Sequence, residues 1–232
     1  MHTCKQILEH TCGLCGGREA TLVHQHPYRP IVGRRFLQCR HCGLIQAPFT
    51  DRLSPAAEKA EYDLHQNAST DPGYRRFLQR LMVPLHKLLG PMNPAAGTQS
   101  FSGLDFGSGP GPVLSTMLRE LGYQCTDYDL FYAYHPQRLQ QQYDFITATE
   151  VFEHLATPAE VMTMLIQCLR PQGLLAVMMQ RPDEQPTFAQ WGYIKDPTHI
   201  SFYTNQALEF MSEHWSLTEI YRDRDVIIWR RR

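Results

Sequence analysis

Three groups of residues in this chain have types and spacings suited to chemistry. The first is Leu104-Asp105-Phe106-Gly107-Ser108-Gly109-Pro110-Gly111-Pro112. An apolar strand end runs into an acid and then glycines at alternate positions. Glycine lets the backbone turn sharply and approach a ligand with no Cβ in the way. Strand-to-helix turns of this kind hold adenosine-containing molecules, although the same turn also serves as a plain tight connection. A dinucleotide fingerprint would need its third glycine at position 112. Pro112 stands there, and the spacing is D-x-G-x-G-x-G. No Gly-Lys-Ser/Thr follows, which excludes a P-loop.

The second group is Cys12, Cys15, Cys39 and Cys42, two C-x-x-C pairs separated by 23 residues and followed by Gly16 and Gly43. Four thiolates from two knuckles suit a tetrahedral zinc ion. A glycine after the second cysteine permits the turn that points backbone N–H groups at sulfur. The separation is slightly longer than the usual ~15–20 residues, a difference that a hairpin insertion accommodates. A redox C-x-x-C fits less well, with two copies and no thioredoxin-like surroundings. The expected zinc is structural, since so small a module needs metal binding to fold. Cys4, Cys125 and Cys168 lack partner spacing, and the last two read as small core residues.

The third group is Glu150, Glu153 and His154, with His199 further on. Spacing of i, i+3, i+4 at a strand-to-helix junction can turn two carboxylates and an imidazole toward one pocket. His199 lies on the loop Asp196–Thr204, which is expected to cover the same pocket. Such ligands suit a second divalent ion, Mg, Mn or Zn. Without a metal, either histidine can act as a general base or be structural.

Alternating strands and helices must position these groups. Strands are expected at Gly103–Phe106, Tyr123–Tyr128, Tyr143–Thr149 and Leu174–Met179, with a turn at Arg170–Gly173. Helices are expected at Pro112–Leu121, Pro158–Leu169 and Asn205–His214. Leu217–Tyr221 and Val226–Trp229 read as a final hairpin. Asp129 closes the second strand, where one carboxylate can accept from both hydroxyls of a ribose; Asp127 is the alternative. Only 13 residues separate Asp129 from Tyr143, too few for a further helix, strand and loop. That leaves the contacts to an adenine unassigned, with Phe131 a candidate for stacking. Upstream, Ser54 caps one helix. A second, about Tyr74–Leu89, carries Phe77, Leu78, Leu81, Leu85, Leu88 and Leu89 on one face, and residues 90–97 read as a linker. Tyr62, His65 and Asn67 form a polar cluster between the two helices. The chain divides on this basis into a cysteine module (1–50), a helical connector and cofactor lid (51–100) and an α/β domain (101–232).

The 232 residues are 43% hydrophobic, enough for one α/β domain with a small appendage. Twenty-two basic residues against 23 acidic ones give a net charge of −1, which argues against a large phosphate-binding surface. The arginines at 230–232 read as a solvated tail. No apolar run reaches the ~20 residues of a membrane span, and the N-terminus lacks a signal-peptide core. Together with paired rather than disulfide-spaced cysteines, this points to a cytoplasmic protein.

Taken together, D-x-G-x-G-x-G, Asp129, the strand ending Thr149-Glu150, L-R-P-Q-G at 169–173 and the final hairpin resemble the class I S-adenosylmethionine (SAM) dependent methyltransferases. Gln172 replaces the first glycine of that family's L-x-P-G-G. The resemblance covers residues 12–232. It implies a Rossmann-like α/β sheet, mostly parallel with an antiparallel last strand, beside a small N-terminal zinc ribbon. It implies SAM held by Asp105, Gly107, Ser108, Gly109, Gly111, Asp129, Thr149 and Glu150, with Tyr62 closing over the methionine end. The Glu-x-x-Glu-His and the distant His199 are similar to those of metal-dependent O-methyltransferases, in which such groups hold a divalent ion that activates a hydroxyl. The Arg181–Tyr193 loop carries Asp183, Glu184, Phe188, Trp191 and Tyr193; its aromatics suit a flat or apolar acceptor and equally a hydrophobic lid. The expected function is methyl transfer to a small molecule, with O-methylation favoured. The alternatives are an RNA methyltransferase whose ribbon grips RNA, and a non-catalytic SAM-binding protein. The sequence leaves the oligomeric state open.

Overall fold

The computed structural model describes residues 7–64, 70–90, 100–185 and 187–232. His65, Asn67 and most of the expected linker lie outside them. Contacts divide the chain into two compact units, each built from non-contiguous stretches. One gathers Met1–Leu64, Phe152–Val161 and Gln180–His214; the other gathers His65–Val151, Met162–Met179 and Trp215–Arg232.

The first unit is organised by a five-stranded sheet of order β1-β2-β3-β4-β9. Its strands are β1 (Ile7–Glu9), β2 (Glu19–Gln25), β3 (Arg35–Cys39), β4 (Ile45–Gln46) and β9 (Ser201–Phe202), all paired antiparallel. The fifth strand comes from far along the chain, with Ile45 opposite Phe202 and Gln46 opposite Ser201. An apolar core joins Ile31, Phe36 and Ile45 from the cysteine region to Trp191, Tyr193, Ile194, Ile200 and Phe202. Helix α1 (Pro55–Tyr62) begins at Ser54, whose side chain accepts from the Ala57 N–H.

The second unit carries a six-stranded sheet of order β10-β11-β8-β7-β5-β6. Its strands are β5 (Ser102–Phe106), β6 (Gln124–Tyr128), β7 (Tyr143–Thr149), β8 (Leu169–Met178), β10 (Leu217–Arg222) and β11 (Val226–Arg231). Strands β5 to β8 pair parallel, and β11 and β10 are antiparallel. This is the sheet that the resemblance implies, with one strand missing. Among the described residues, 130–142 hold only a bridge between Asp129 and Ala133 and a short 3₁₀ turn at Pro136–Gln140, so β6 is the sheet edge. Strand β8 starts earlier than expected. Leu169 pairs with Tyr143 ahead of a bulge, and the expected turn residues fall inside the strand, with Gln172 left-handed at φ 62°.

Helices α2 (Pro72–Leu89) and α3 (Val113–Glu120) bury Leu78, Leu81, Leu85, Val113, Leu114, Met117 and Leu118 against Phe145, Leu174, Ala176 and Ile228. Each such side chain contributes ~1.5–3 kcal/mol by leaving water. Cys125 and Cys168 are buried. Helices α4 (Pro158–Cys168) and α5 (Asn205–His214) complete the order. The terminal arginines are not a free tail: Arg230 and Arg231 lie in β11, and Arg231 donates to the Ile166 carbonyl in the last turn of α4 (2.7 Å). Among the described residues, no helix is long and apolar enough to cross a membrane.

Candidate active site

The glycine turn leaves β5 with Gly107 and Gly109 at φ 76° and 66°, a region that favours glycine. It is laced to the end of β6. Gly107 N and Ser108 N both donate to the Tyr128 carbonyl (2.7 and 3.2 Å), and Gly109 N donates to Asp129 Oδ2 (2.9 Å). Asp129 Oδ1 accepts from Phe131 N and Tyr132 N (2.8 and 3.1 Å). Both carboxylate oxygens are thus fixed by the backbone while retaining acceptor capacity for hydroxyls. Asp127 pairs with Arg119 through Oδ2 at 3.3 Å, and its Oδ1 is buried with no hydrogen-bond partner among the described residues.

Two hydroxyls at these strand ends, Ser108 Oγ and Thr149 Oγ1, are buried with no hydrogen-bond partner among the described residues. Buried orphans of this kind call for a ligand or water, and both belong to the expected cofactor set. Asp105 is a strut: it is buried and accepts from Thr147 Oγ1 at 2.7 Å. Burial pushes its carboxyl up to about 7, with Asp127 adding and Thr147 opposing. Glu150 follows β7 at φ 53°, its N–H donating to Met178 O (2.8 Å). A non-glycine residue in that region is strained, as functional positions often are. Gly111 accepts from Val113 N at the start of α3 (2.8 Å). Sequence reasoning missed Tyr74. Burial raises its phenol to about 12, with the Asp105 and Glu150 carboxylates adding, so its hydroxyl lies within their field.

In the first unit, Glu153, His154 and His199 offer ligand atoms that all lie within 4.8 Å of one another. Glu150 is not of this group. The i, i+3 rule presumes a regular helix; here a left-handed residue at 150 leads into a 3₁₀ turn at Phe152–His154. The imidazole rings of His154 and His199 meet at 4.8 Å and 70°. His154 Nδ1 is 3.2 Å from Thr198 O, and His199 Nδ1 is 2.7 Å from Tyr193 O. A carbonyl oxygen only accepts, so in the neutral rings both Nδ1 atoms carry the hydrogen and both Nε2 atoms carry the lone pair. Tyr193, also outside the expected site, does double service, since its hydroxyl donates to Glu153 Oε1. Tyr193 and Trp191 stack at 5.0 Å. Asp196 Oδ2 lies 3.8 Å from His199 Nε2. Burial pushes Asp196 up, but His199, the Thr198 hydrogen bonds and His154 outweigh it and hold the carboxyl below its ordinary value. Tyr62 sits here, its ring edge-on to His154 at 5.3 Å and its hydroxyl on Glu58 Oε1 (2.8 Å).

The four cysteine sulfurs also converge within 4.8 Å. Cys12 Sγ and Cys42 Sγ are 3.5 Å apart, as are those of Cys15 and Cys39. A tetrahedral ion with ~2.3 Å metal–sulfur bonds requires sulfurs ~3.7 Å apart, so the set fits. Gly17 N points at Cys15 Sγ (3.3 Å). A hydrogen bond from Cys42 holds the Cys12 thiol down, while burial pushes Cys15 up and the bond to Cys12 pushes Cys42 up.

The profile of a methyltransferase-domain family matches residues 74–214, more than half of the chain. Among solved structures, the 1,6-didemethyltoxoflavin-N1-methyltransferase of Burkholderia thailandensis, with bound 1,6-didemethyltoxoflavin and S-adenosylhomocysteine, is 16% identical. It aligns with a TM-score of 0.55 over 89% of this chain and 99% of its own. The PH0226 protein of Pyrococcus horikoshii OT3 is 11% identical, with a TM-score of 0.54 over 75% and 99%. At these identities the likeness is one of fold. No curated protein matches the chain by sequence.

Proposed function

Because the chain belongs to the methyltransferase-domain family and is a SAM-dependent methyltransferase, we propose that it methylates the hydroxyl of a small molecule, with His154 or His199 taking the acceptor proton. The observation that carries this reading is the meeting of the two imidazoles at 4.8 Å, each with Nδ1 against a carbonyl oxygen. A positioned imidazole is the usual general base for a hydroxyl. SAM supplies an electrophilic methyl group on a sulfonium. The chain's part is to hold it through Gly107–Gly111, Ser108, Asp129, Thr149 and Glu150 and to orient the acceptor, since displacement depends chiefly on positioning.

The Tyr193 ring packs against His199 at 4.0 Å, and the Burkholderia thailandensis enzyme, whose fold is similar, holds 1,6-didemethyltoxoflavin. The balanced net charge counts against RNA. Cys12, Cys15, Cys39 and Cys42 would hold a structural zinc, in keeping with a reducing, cytoplasmic setting. As the alternative to an imidazole base, Glu153, His154 and His199 together would hold a divalent ion, which would lower the pKa of a bound hydroxyl.

Incubation with methyl-labelled SAM and separate low-molecular-mass and RNA extracts tests the reading. Label is expected in the small-molecule fraction, and in neither fraction when both histidines are replaced by alanine. Label in RNA, or equal transfer by the double variant, would overturn it.

A further inference from the structure

Each cysteine knuckle grips one of the two segments that carry the imidazoles. In the first knuckle, Gly13 N donates to Gln46 Oε1 (3.1 Å), and Gly13 O accepts from Ala159 N (3.1 Å). The approach is close: a Cβ on Gly13 would fall 2.5 Å from Ala156 O. Gln46, only 1% exposed, carries the link onward. Its Nε2 donates to Ala156 O (3.2 Å) and to Ser201 Oγ (2.9 Å), whose own hydrogen goes to Leu155 O (2.6 Å). Every polar atom of the Gln46 amide is therefore committed, joining the knuckle to the residues that follow Glu153-His154 and to the strand that follows His199. In the second knuckle, Gly43 O accepts from Thr204 Oγ1 (3.0 Å), and His41 O accepts from Gln206 Nε2 (3.1 Å). Between the two segments, Ile200 N donates to Glu153 O (2.8 Å).

We propose that Gln46 and Gly13 are positioning residues through which the metal-loaded cysteine centre sets the spacing of the Glu153–His154 and His199 segments. The cysteine centre is then a brace for the acceptor-activating groups and not a nucleic-acid grip. This rests on the reading of His154 and His199 given above. The chemical basis is additive geometry: an ion that ties Cys12 and Cys15 to Cys39 and Cys42 fixes two knuckles. Each knuckle is bonded directly to one histidine-bearing segment, and an amide with no spare donor transmits the constraint.

The test uses the full zinc-loaded chain labelled with ¹⁵N-histidine, as wild type, Gln46→Met and Thr204→Val. Three quantities are read: zinc per chain, calorimetric affinity for S-adenosylhomocysteine, and the imidazole Nδ1–H signals of His154 and His199. Gln46→Met is expected to keep its zinc and bind S-adenosylhomocysteine within about twofold of wild type. The two Nδ1–H signals should shift and exchange with solvent roughly tenfold faster. Thr204→Val, which removes one of the second knuckle's two bonds, should disturb His199 more than His154. Chelating the zinc from wild type should reproduce both changes. Unmoved imidazole signals in Gln46→Met, or after chelation, would overturn the brace. Failure of the wild-type chain to bind S-adenosylhomocysteine would instead overturn the cofactor site, leaving the brace to be judged on the imidazole signals.

Discussion

His154 and His199 face each other across 4.8 Å, both with Nδ1 against a carbonyl oxygen. The rings come from distant parts of the chain, meet at 70° and share one hydrogen-bonding pattern at Nδ1. Tyr193 joins the two segments, through its carbonyl to His199 and its hydroxyl to Glu153.

Replacement by glutamine should slow methyl transfer by roughly 10²–10⁴-fold at one of the two histidines, the usual range for a lost general base. Single-turnover kinetics with the small-molecule extract would measure it, and affinity for S-adenosylhomocysteine should stay within about twofold. Transfer at the wild-type rate in both single variants would remove the base from the account.

Asp105 makes stability depend on pH in a definite direction. Its folded-state pKa of about 7 stands above the ordinary 3.8. Between those values the folded chain holds the extra proton, so this group's contribution to stability falls as pH rises from about 4 to about 7 and is level above. Asp105→Asn keeps an acceptor for Thr147 and removes the titration. Urea unfolding from pH 4 to 8 should show the variant gaining on wild type by ~1.4 kcal/mol per pH unit as an upper bound. A constant difference across that range would contradict the buried, proton-holding carboxyl.

Gly103 in β5 has no room for a side chain, since a Cβ there would lie 2.1 Å from the ring of the fully buried Phe145. Gly103→Ala should cost about 1–3 kcal/mol or more by overpacking, with partial recovery on adding Phe145→Leu. Unchanged unfolding midpoints would show that the sheet tolerates the contact.

The thiolate centre and the histidine cluster should bind metal independently. Cobalt added to zinc-stripped protein should give thiolate charge-transfer bands at the first equivalent. Cys39→Ser should abolish those bands, and His199→Ala should leave them unchanged. Loss of the bands in His199→Ala would mean that the two sets are one site.

Features set by local chemistry were legible in the sequence. The strand-turn-helix at Gly107–Pro112, the C-x-x-C knuckles and Asp129 each depend on a few neighbouring residues whose types admit little else. Features set by long-range assembly were not. That Ser201–Phe202 joins the sheet of the cysteine strands follows from a two-residue pairing with no periodicity to detect. Tyr193 read only as a loop aromatic, because its partners lie on other segments of the chain. Glu150 was grouped with Glu153 and His154 on helical spacing, a rule that a left-handed φ of 53° and a 3₁₀ turn suspend. The arginines of β11 read as a tail because charge alone does not reveal a strand whose guanidinium caps a helix.

The central claim is that the glycine turn and Asp129 hold the cofactor, and calorimetric titration with S-adenosylhomocysteine tests it most directly. One ligand per wild-type chain is expected, with binding weaker by roughly 10–100-fold in Asp129→Ala, the loss of hydrogen bonds to a charged group. Wild-type affinity in Asp129→Ala, or no binding to the wild-type chain, would contradict it.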